Sequence, residues 1–253
     1  MVANRKTLTI ASIAGVVVIV GVVMGYYYFS VNQSRVVDTN IQDNVNDTTI
    51  PRVLSANSTL DGVTYSEWTA RWWQWLVSVP LERNPAADTT GEFCAENQNG
   101  PVWFLPGTFA GPVDRTCNIP AGKAILIALV NSECNPAEYP DLQTESELRS
   151  CAKAGQDSVS ELFTRIDGVQ LKDTDLESYR VDSPLFNLTL PENNIFGLPP
   201  QTTPTVSDGY WVFLEPLSEG SHTIHFRAAI VDPTDPTGAG NFLTEARYQI
   251  TVR

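Results

Sequence analysis

The chain has 253 residues, 42% of them hydrophobic and 9% aromatic, with a formal net charge of −13. That is enough apolar material for one sizeable core, while the acidity argues against nucleic acid or an anionic lipid surface as a partner and accords with solubility. With four cysteines but no Cys-x-x-Cys, and with two histidines in all, structural zinc is disfavoured and most nucleophile-and-base arrangements lack a base.

Leu8 to Phe29 carries no charge over twenty-two residues. At about 1.5 Å per residue a helix of that length reaches roughly 33 Å, enough to cross a hydrocarbon core of about 30 Å. Arg5 and Lys6 precede it and no basic residue follows until Arg35, which leaves residues 1–7 in the cytoplasm. Tyr26, Tyr27, Tyr28 and Phe29 form an aromatic belt at the exit. Cleaved signal peptides have a shorter apolar region of about 7 to 15 residues, so 8–29 reads as a retained signal-anchor helix in the lipid bilayer, with the rest of the chain extracellular or pseudoperiplasmic. Gly21 and Gly25 lie four apart and offer a face to a partner helix, which would suit an accessory subunit of a membrane complex.

Residues 30–59 are rich in Asn, Asp and Thr without a hydrophobic period, the composition of a flexible tether. Asn32, Asn46 and Asn57, and later Asn187, each begin an N-x-Ser/Thr triplet and are glycosylation candidates.

Folded structure is expected over 60–253. Thr64 and Glu67 make a capping box and Pro80 closes the segment, so Tyr65 to Val79 is a predicted helix. Trp68, Trp72 and Trp75 share one stripe at i, i+4 and i+7, with Trp73 beside it. One reading is an aromatic platform for a sugar ring or another flat ligand, with Glu67 and Arg71 as polar handles. The other, preferred because an aromatic stripe at helical spacing is usually core, is that the helix seals the face of a sheet.

Asn84 to Pro120 is dense in turn-forming residues and reads as loop, interrupted by a short strand at Val102–Leu105. Ala124 to Val130 is an unbroken apolar run, expected to be a central strand buried on both faces. It ends at Asn131, Ser132 and Glu133, polar residues suited to a ligand-facing rim. Cys94, Cys117, Cys134 and Cys151 all follow the apolar segment and are expected as two disulfides. Of the three pairings, local loops favour Cys94 with Cys117 and Cys134 with Cys151.

The array Trp68-x-x-x-Trp72-Trp73-x-Trp75, the run Gly100-Pro101-Val102-Trp103-Phe104-Leu105, and Cys117-Asn118-Ile119-Pro120-Ala121-Gly122-Lys123 resemble a family of uncharacterised secreted or membrane-anchored prokaryotic proteins. The likeness spans roughly Leu60 to Val252. It implies an exported single domain and brings no assigned activity and no catalytic residue.

Thr144 and Glu147 form a second capping box, opening a helix to about Gly155. Leu162, Thr164 and Ile166 alternate up to Asp167-Gly168, a strong hairpin signal, and Val169–Leu171 begins the return. Phe186–Leu190 is a strand, Pro191 to Pro204 a surface crossover, and Tyr210–Leu214, His222–Val231 and Phe242–Val252 are three antiparallel strands. The predicted fold is mostly β (α+β): an immunoglobulin-like antiparallel β-sandwich with a Trp-rich N-terminal helix and one further helix, preceded by one transmembrane helix. His222 shares a face with Ile224 and Phe226 while His225 points the other way, so they do not form one metal site. Asp232 and Asp235 do not match an EF-hand, and no metal or cofactor is expected.

No Gly-x-Ser-x-Gly elbow, His-Glu-x-x-His or phosphate-binding glycine loop is present. A glycoside hydrolase needs two carboxylates about 5 to 10 Å apart, for which Glu67, Glu133, Asp208 and Glu215 are candidates. The expected function is a non-catalytic binding or structural role at the cell surface, with Glu67, Trp68, Arg71, Trp72, Trp73, Trp75, Glu133 and Trp211 as ligand-binding candidates and a protein or glycan as the partner. A surface-anchored, carbohydrate-active hydrolase is the alternative.

Overall fold

A computed structural model describes residues 52–109, 111–171, 176–231 and 241–253. The apolar segment 8–29 with Gly21 and Gly25, residues 30–51 of the expected tether 30–59 with Asn32 and Asn46, and Asp232 and Asp235 lie outside the described residues. Among those described, no helix is long and apolar enough to cross a membrane.

A short hairpin of Thr59–Leu60 (β1) and Val63–Thr64 (β2) leads into helix α1, Tyr65–Ser78. The capping box is complete: Glu67 N–H donates to Thr64 Oγ1 at 3.2 Å and Thr64 N–H to Glu67 Oε2 at 2.9 Å. The strands that follow are β3 (Val102–Leu105), β4 (Val113–Ile119) and β5 (Ala124–Cys134). Helix α2 (Glu145–Asp157) comes next, capped by Thr144 and Glu147 in the same way. Then come β6 (Val159–Ile166), β7 (Val169–Gln170), β8 (Arg180–Asp182), β9 (Phe186–Leu190), β10 (Gln201–Leu214), β11 (Gly220–Ile230) and β12 (Phe242–Val252). The described chain is thus mostly β with two α-helices.

Besides the β1–β2 hairpin there are two five-stranded sheets. One has the order β3-β5-β10-β8, with β9 along the first part of β10; the other runs β4-β12-β11-β6-β7. All pairings are antiparallel except β3 with β5 and β4 with β12. Asp167 and Gly168, both at positive φ (47° and 79°), turn the β6–β7 hairpin as the Asp-Gly pair predicts.

The first sheet is covered on both sides, which is why β5 is apolar at every position from Ala124 to Val130. Ile125, Ile127 and Leu129 pack with Val212 and Leu214 against Ile224, Phe226, Tyr248 and Ile250 of the second sheet. Ala124, Leu126 and Ala128 pack with Phe104, Trp211 and Phe213 under α1. Three layers result: sheet, sheet and helix. Each large side chain so buried stabilises the fold by about 1.5–3 kcal/mol.

The cysteines pair as expected: Cys94 with Cys117 and Cys134 with Cys151, at Cα separations of 5.9 and 6.1 Å. The first ties the loop after α1 to β4, and the second ties the end of β5 to α2. The region expected as loop contains the additional strand β4, whose inward positions are Val113, Arg115, Cys117 and Ile119. The crossover expected as far as Pro204 ends earlier, at Gln201, where β10 starts pairing with β9.

Arg115 is 2% exposed. Its guanidinium donates to the carbonyls of Asp88 (2.8 Å), Gly107 (2.9 Å), Pro106 (3.1 Å) and Ala86 (3.3 Å) and to Tyr248 Oη (2.6 Å). A buried cation is tolerated when its donors are satisfied. Here one side chain gathers the carbonyls of two loop segments onto the second sheet.

Candidate functional site

Helix α1 turns its tryptophans toward the first sheet. Trp68, Trp72, Trp73 and Trp75 are 3 to 6% exposed and Trp211 is fully buried. Trp72 is the hub, with ring centroids 5.2 Å from Trp73, 5.9 Å from Trp75 and 5.3 Å from Trp211, all edge-on, the geometry aromatic pairs prefer. The core reading of the stripe is therefore the one the burial supports. Arg71 is exposed on the outer side, its guanidinium 4.7 Å from the Trp68 ring centre.

The indoles differ in their hydrogen bonds. Trp68 and Trp75 donate to the carbonyls of Leu60 and Glu96 at 3.3 and 2.8 Å. The buried N–H groups of Trp72, Trp73 and Trp211 have no partner among the described residues. Trp72 and Trp73 also wall a crevice of about 60 Å³ that runs between them, Thr108, Phe109, Asn131 and Phe242. Asn131 belongs to the polar end of β5 that the sequence singles out as a rim; Phe109 and Phe242 carry no local motif that would have drawn attention to them.

Two residues further along β5 lies a pair of carboxyl groups. Glu133 is buried, and Asn135, fully buried, donates from Nδ2 to Glu133 Oε2 at 2.9 Å and to Glu138 Oε2 at 2.7 Å. Asn135 Oδ1 accepts from the backbone N–H groups of Ala137 and Glu138 at 2.9 and 3.1 Å. This turn is what brings Glu138 back onto Glu133. Burial, reinforced by the charge and hydrogen bond of Glu138, holds Glu133 well above the ordinary carboxylate range. Burial also raises Glu138, against the lowering from its hydrogen bonds to Glu133 and Asn135. Two carboxyls that share a hydrogen bond titrate as a pair rather than singly. Ser207, opposite Glu133 in register, has a buried hydroxyl with no partner among the described residues. Glu138 was missed in the sequence; the spacing Glu133-x-Asn135-x-x-Glu138 was the available signal.

The remaining candidates are committed to local structure. Glu67 serves the cap of α1 at the surface, and its hydrogen bonds from the Thr64 backbone and hydroxyl hold its carboxyl below the usual range. Asp208 forms a two-point pair with Arg180, at 3.0 and 2.7 Å. Glu215 pairs with Arg52 at 3.3 Å. Neither shares a hydrogen-bond partner with Glu133 or Glu67. Asn57 and Asn187 are both exposed.

His222 sits between Asp167 and Ser218. Its Nδ1 is 2.7 Å from Asp167 Oδ2, its Nε2 2.9 Å from the Ser218 carbonyl and 3.5 Å from Ser218 Oγ. The set mimics a Ser-His-Asp triad, yet both ring nitrogens face acceptors, which favours the doubly protonated ring and leaves no lone pair to take a proton from Ser218. Burial lowers the His222 pKa, but the Asp167 hydrogen bond, the Ser218 carbonyl and the Asp167 charge outweigh it and the net shift is upward. His225 lies on the other face, 3.0 Å from Glu245. Among the described residues no group of three or more His, Cys, Asp or Glu is placed to hold a metal ion.

The chain matches no protein-family model and no curated protein sequence.

Proposed function

We propose that the chain is a single-pass membrane protein whose disulfide-linked outer domain binds a partner at the cell surface without catalysing a reaction. The observation that carries this reading is that all four cysteines, each on the far side of the apolar segment 8–29, are joined in pairs, a state kept on the oxidising side of a membrane. The chain also enters the domain at one pole. Val53 bridges to Leu214, which lies opposite Ile125 at the start of β5. Asn131 is six residues along that strand, roughly 20 Å away. A tether joined there leaves the Asn131 end of the crevice roughly 20 Å from its point of attachment. Exposed Asn57 and Asn187 are the described glycan acceptors of such a surface domain.

We further infer an immunoglobulin-like arrangement. The order β3-β5-β10-β8 parallels strands A-B-E-D, and β12-β11-β6-β7 parallels G-F-C-C′. The parallel β3–β5 pair and the position of both disulfides depart from that pattern.

Protease added to intact cells should remove the domain, and mass analysis of the non-reduced protein should recover both cystine peptides; a protected domain or four free thiols would end the proposal. A second reading is carboxylate-dependent glycan hydrolysis, for which Glu133 and Glu138 supply two carboxyls, hydrogen-bonded to one another and so closer than the about 5 to 10 Å of a catalytic pair. It would displace the first if a glycan screen found hydrolysis that Glu133→Gln abolishes while the fold is retained.

A further inference from the structure

The turn at the end of β5 gathers oxygen ligands and no cation to balance them. Glu133 is 8% exposed and Asn135 fully buried, and Asn135 Nδ2 donates to Oε2 of both Glu133 and Glu138, at 2.9 and 2.7 Å. Oε1 of each carboxyl is left over. Among the described residues neither carboxyl has an ion-pair partner, and the charge that bears on Glu133 is that of Glu138. Two carboxylates placed together away from water need something positive between them. A proton can serve, and the hydrogen bond that joins the two provides for one. A divalent cation serves more completely, because it neutralises both.

Ser207 supplies a third oxygen. It is 1% exposed, and its hydroxyl has no partner among the described residues. It lies opposite Glu133 across the antiparallel β5–β10 ladder, and residues so opposed send their side chains to one face with Cβ atoms about 4.5–5.5 Å apart. A buried hydroxyl left without a partner is costly, and a hard cation would take its lone pair. The hydroxyl is closed to water, but calcium sits about 2.3–2.6 Å from its oxygens, nearer than the roughly 2.7–2.8 Å of a water hydrogen bond. A space too tight for water can therefore seat the ion. Two acids and a hydroxyl also fall outside the groups of three or more His, Cys, Asp or Glu, of which the described residues have none.

The ligands are all oxygen, which disfavours zinc and copper. Magnesium demands a near-ideal octahedron at about 2.0–2.1 Å and keeps several waters, whereas calcium accepts irregular oxygen cages. Glu138 is half-buried, so the ion enters on its side and water completes the coordination there.

We propose that Glu133, Glu138 and Ser207 form a calcium-binding site in which the ion takes the place of the shared proton and fixes the Asn135–Glu138 turn against β10. Cys134, between Glu133 and Asn135, carries the disulfide to α2, so the ion reinforces the junction of β5 with that helix. The site is independent of the surface-binding function proposed above and would stand if that function failed.

The test uses the full chain in detergent micelles, stripped with a chelator and titrated with calcium chloride alone, followed by calorimetry and by thermal melts at constant ionic strength. A Kd of roughly 0.1–1 mM is expected, the range of extracellular calcium modules, and about 10 mM Ca²⁺ should raise Tm by roughly 3–10 °C. The same concentration of Mg²⁺ should raise it clearly less. Glu138→Gln, at the half-buried position, should abolish the calcium-dependent rise while its melt in chelator stays cooperative. Ser207→Ala should weaken binding roughly tenfold and keeps the test open should Glu138→Gln fail to fold. Glu219→Gln, at an exposed acid elsewhere, should bind calcium as the unaltered chain does. No calcium-dependent rise in the unaltered chain, an equal rise with Mg²⁺, a rise that survives Glu138→Gln, or an undiminished affinity in Ser207→Ala would overturn the site.

Discussion

Replacing Trp72 by alanine removes the centre of the aromatic cluster. The side chain is 3% exposed, so nearly all of its 150–250 Å² is taken from water, which at about 25 cal/mol per Å² corresponds to roughly 4–6 kcal/mol. That is an upper value, because the unfolded chain already buries part of this surface. Loss of the edge-on contacts to Trp73, Trp75 and Trp211 adds to the cost, whereas the indole N–H has no hydrogen-bond partner among the described residues to lose. A cost of about 4 kcal/mol is expected, within the range for large-to-alanine changes in cores. For a domain of this size it corresponds to a fall in Tm of roughly 8–16 °C. Trp72→Phe, which keeps a ring in place, should cost clearly less. The assay is urea unfolding of the disulfide-intact protein, followed by tryptophan fluorescence. Since all six tryptophans are at most 6% exposed, native emission should be blue-shifted and nearly insensitive to iodide. An alanine cost below about 1.5 kcal/mol, outside the core range, or native emission strongly quenched by iodide, would refute the packing argument.

Glu133 keeps its proton to higher pH when folded than when unfolded, so the folded chain binds more protons between those two values and stability falls as pH rises through that window. Glu133→Gln should flatten this fall, and urea midpoints from about pH 5 to 9 will show whether it does. His222 works in the same direction: its folded pKa is raised, so its contribution is complete below the unfolded value of about 6.5 and is lost as pH rises through the folded one. His222→Gln should remove that component and leave the Glu133 component; an NMR titration placing His222 at or below the unfolded value would contradict the hydrogen bonding of His222 to Asp167 and the Ser218 carbonyl. Thr64→Ala should cost about 1 kcal/mol through the lost cap, measurable by thermal melts. Replacing Cys94 and Cys117 together by serine should cost about 3 kcal/mol in the chain-entropy model, again read by urea midpoint.

The elements whose signals are local were legible in the sequence. Both helices start at capping boxes, the Asp167-Gly168 hairpin carries its own turn chemistry, and β5 declares two-sided burial by having no polar residue before Asn131. Short cystine loops likewise predict the observed pairing. Strand β4 was hidden because its inward face includes Arg115, and an arginine in an inward position breaks the apolar alternation by which a strand is recognised. The partners that make Arg115 tolerable come from residues 86–107 and from Tyr248, separations that no local pattern encodes. The same holds for the candidate site. Trp72 and Trp73 stand out in any window, but their crevice needs Phe109, Asn131 and Phe242 from separate strands and loops. Glu133 was visible at the strand end, while its coupling to Glu138 depends on the turn that Asn135 closes.

The seam where the chain enters has a mechanical meaning. Leu54 N–H donates to the Phe213 carbonyl and Glu215 N–H to the Arg52 carbonyl, so tension arriving along the N-terminal lead reaches the central strand through these backbone links before the layered interior. Pulled from that side, residues 52–54 would peel away first and act as a short extensible fuse while the sheets stay closed.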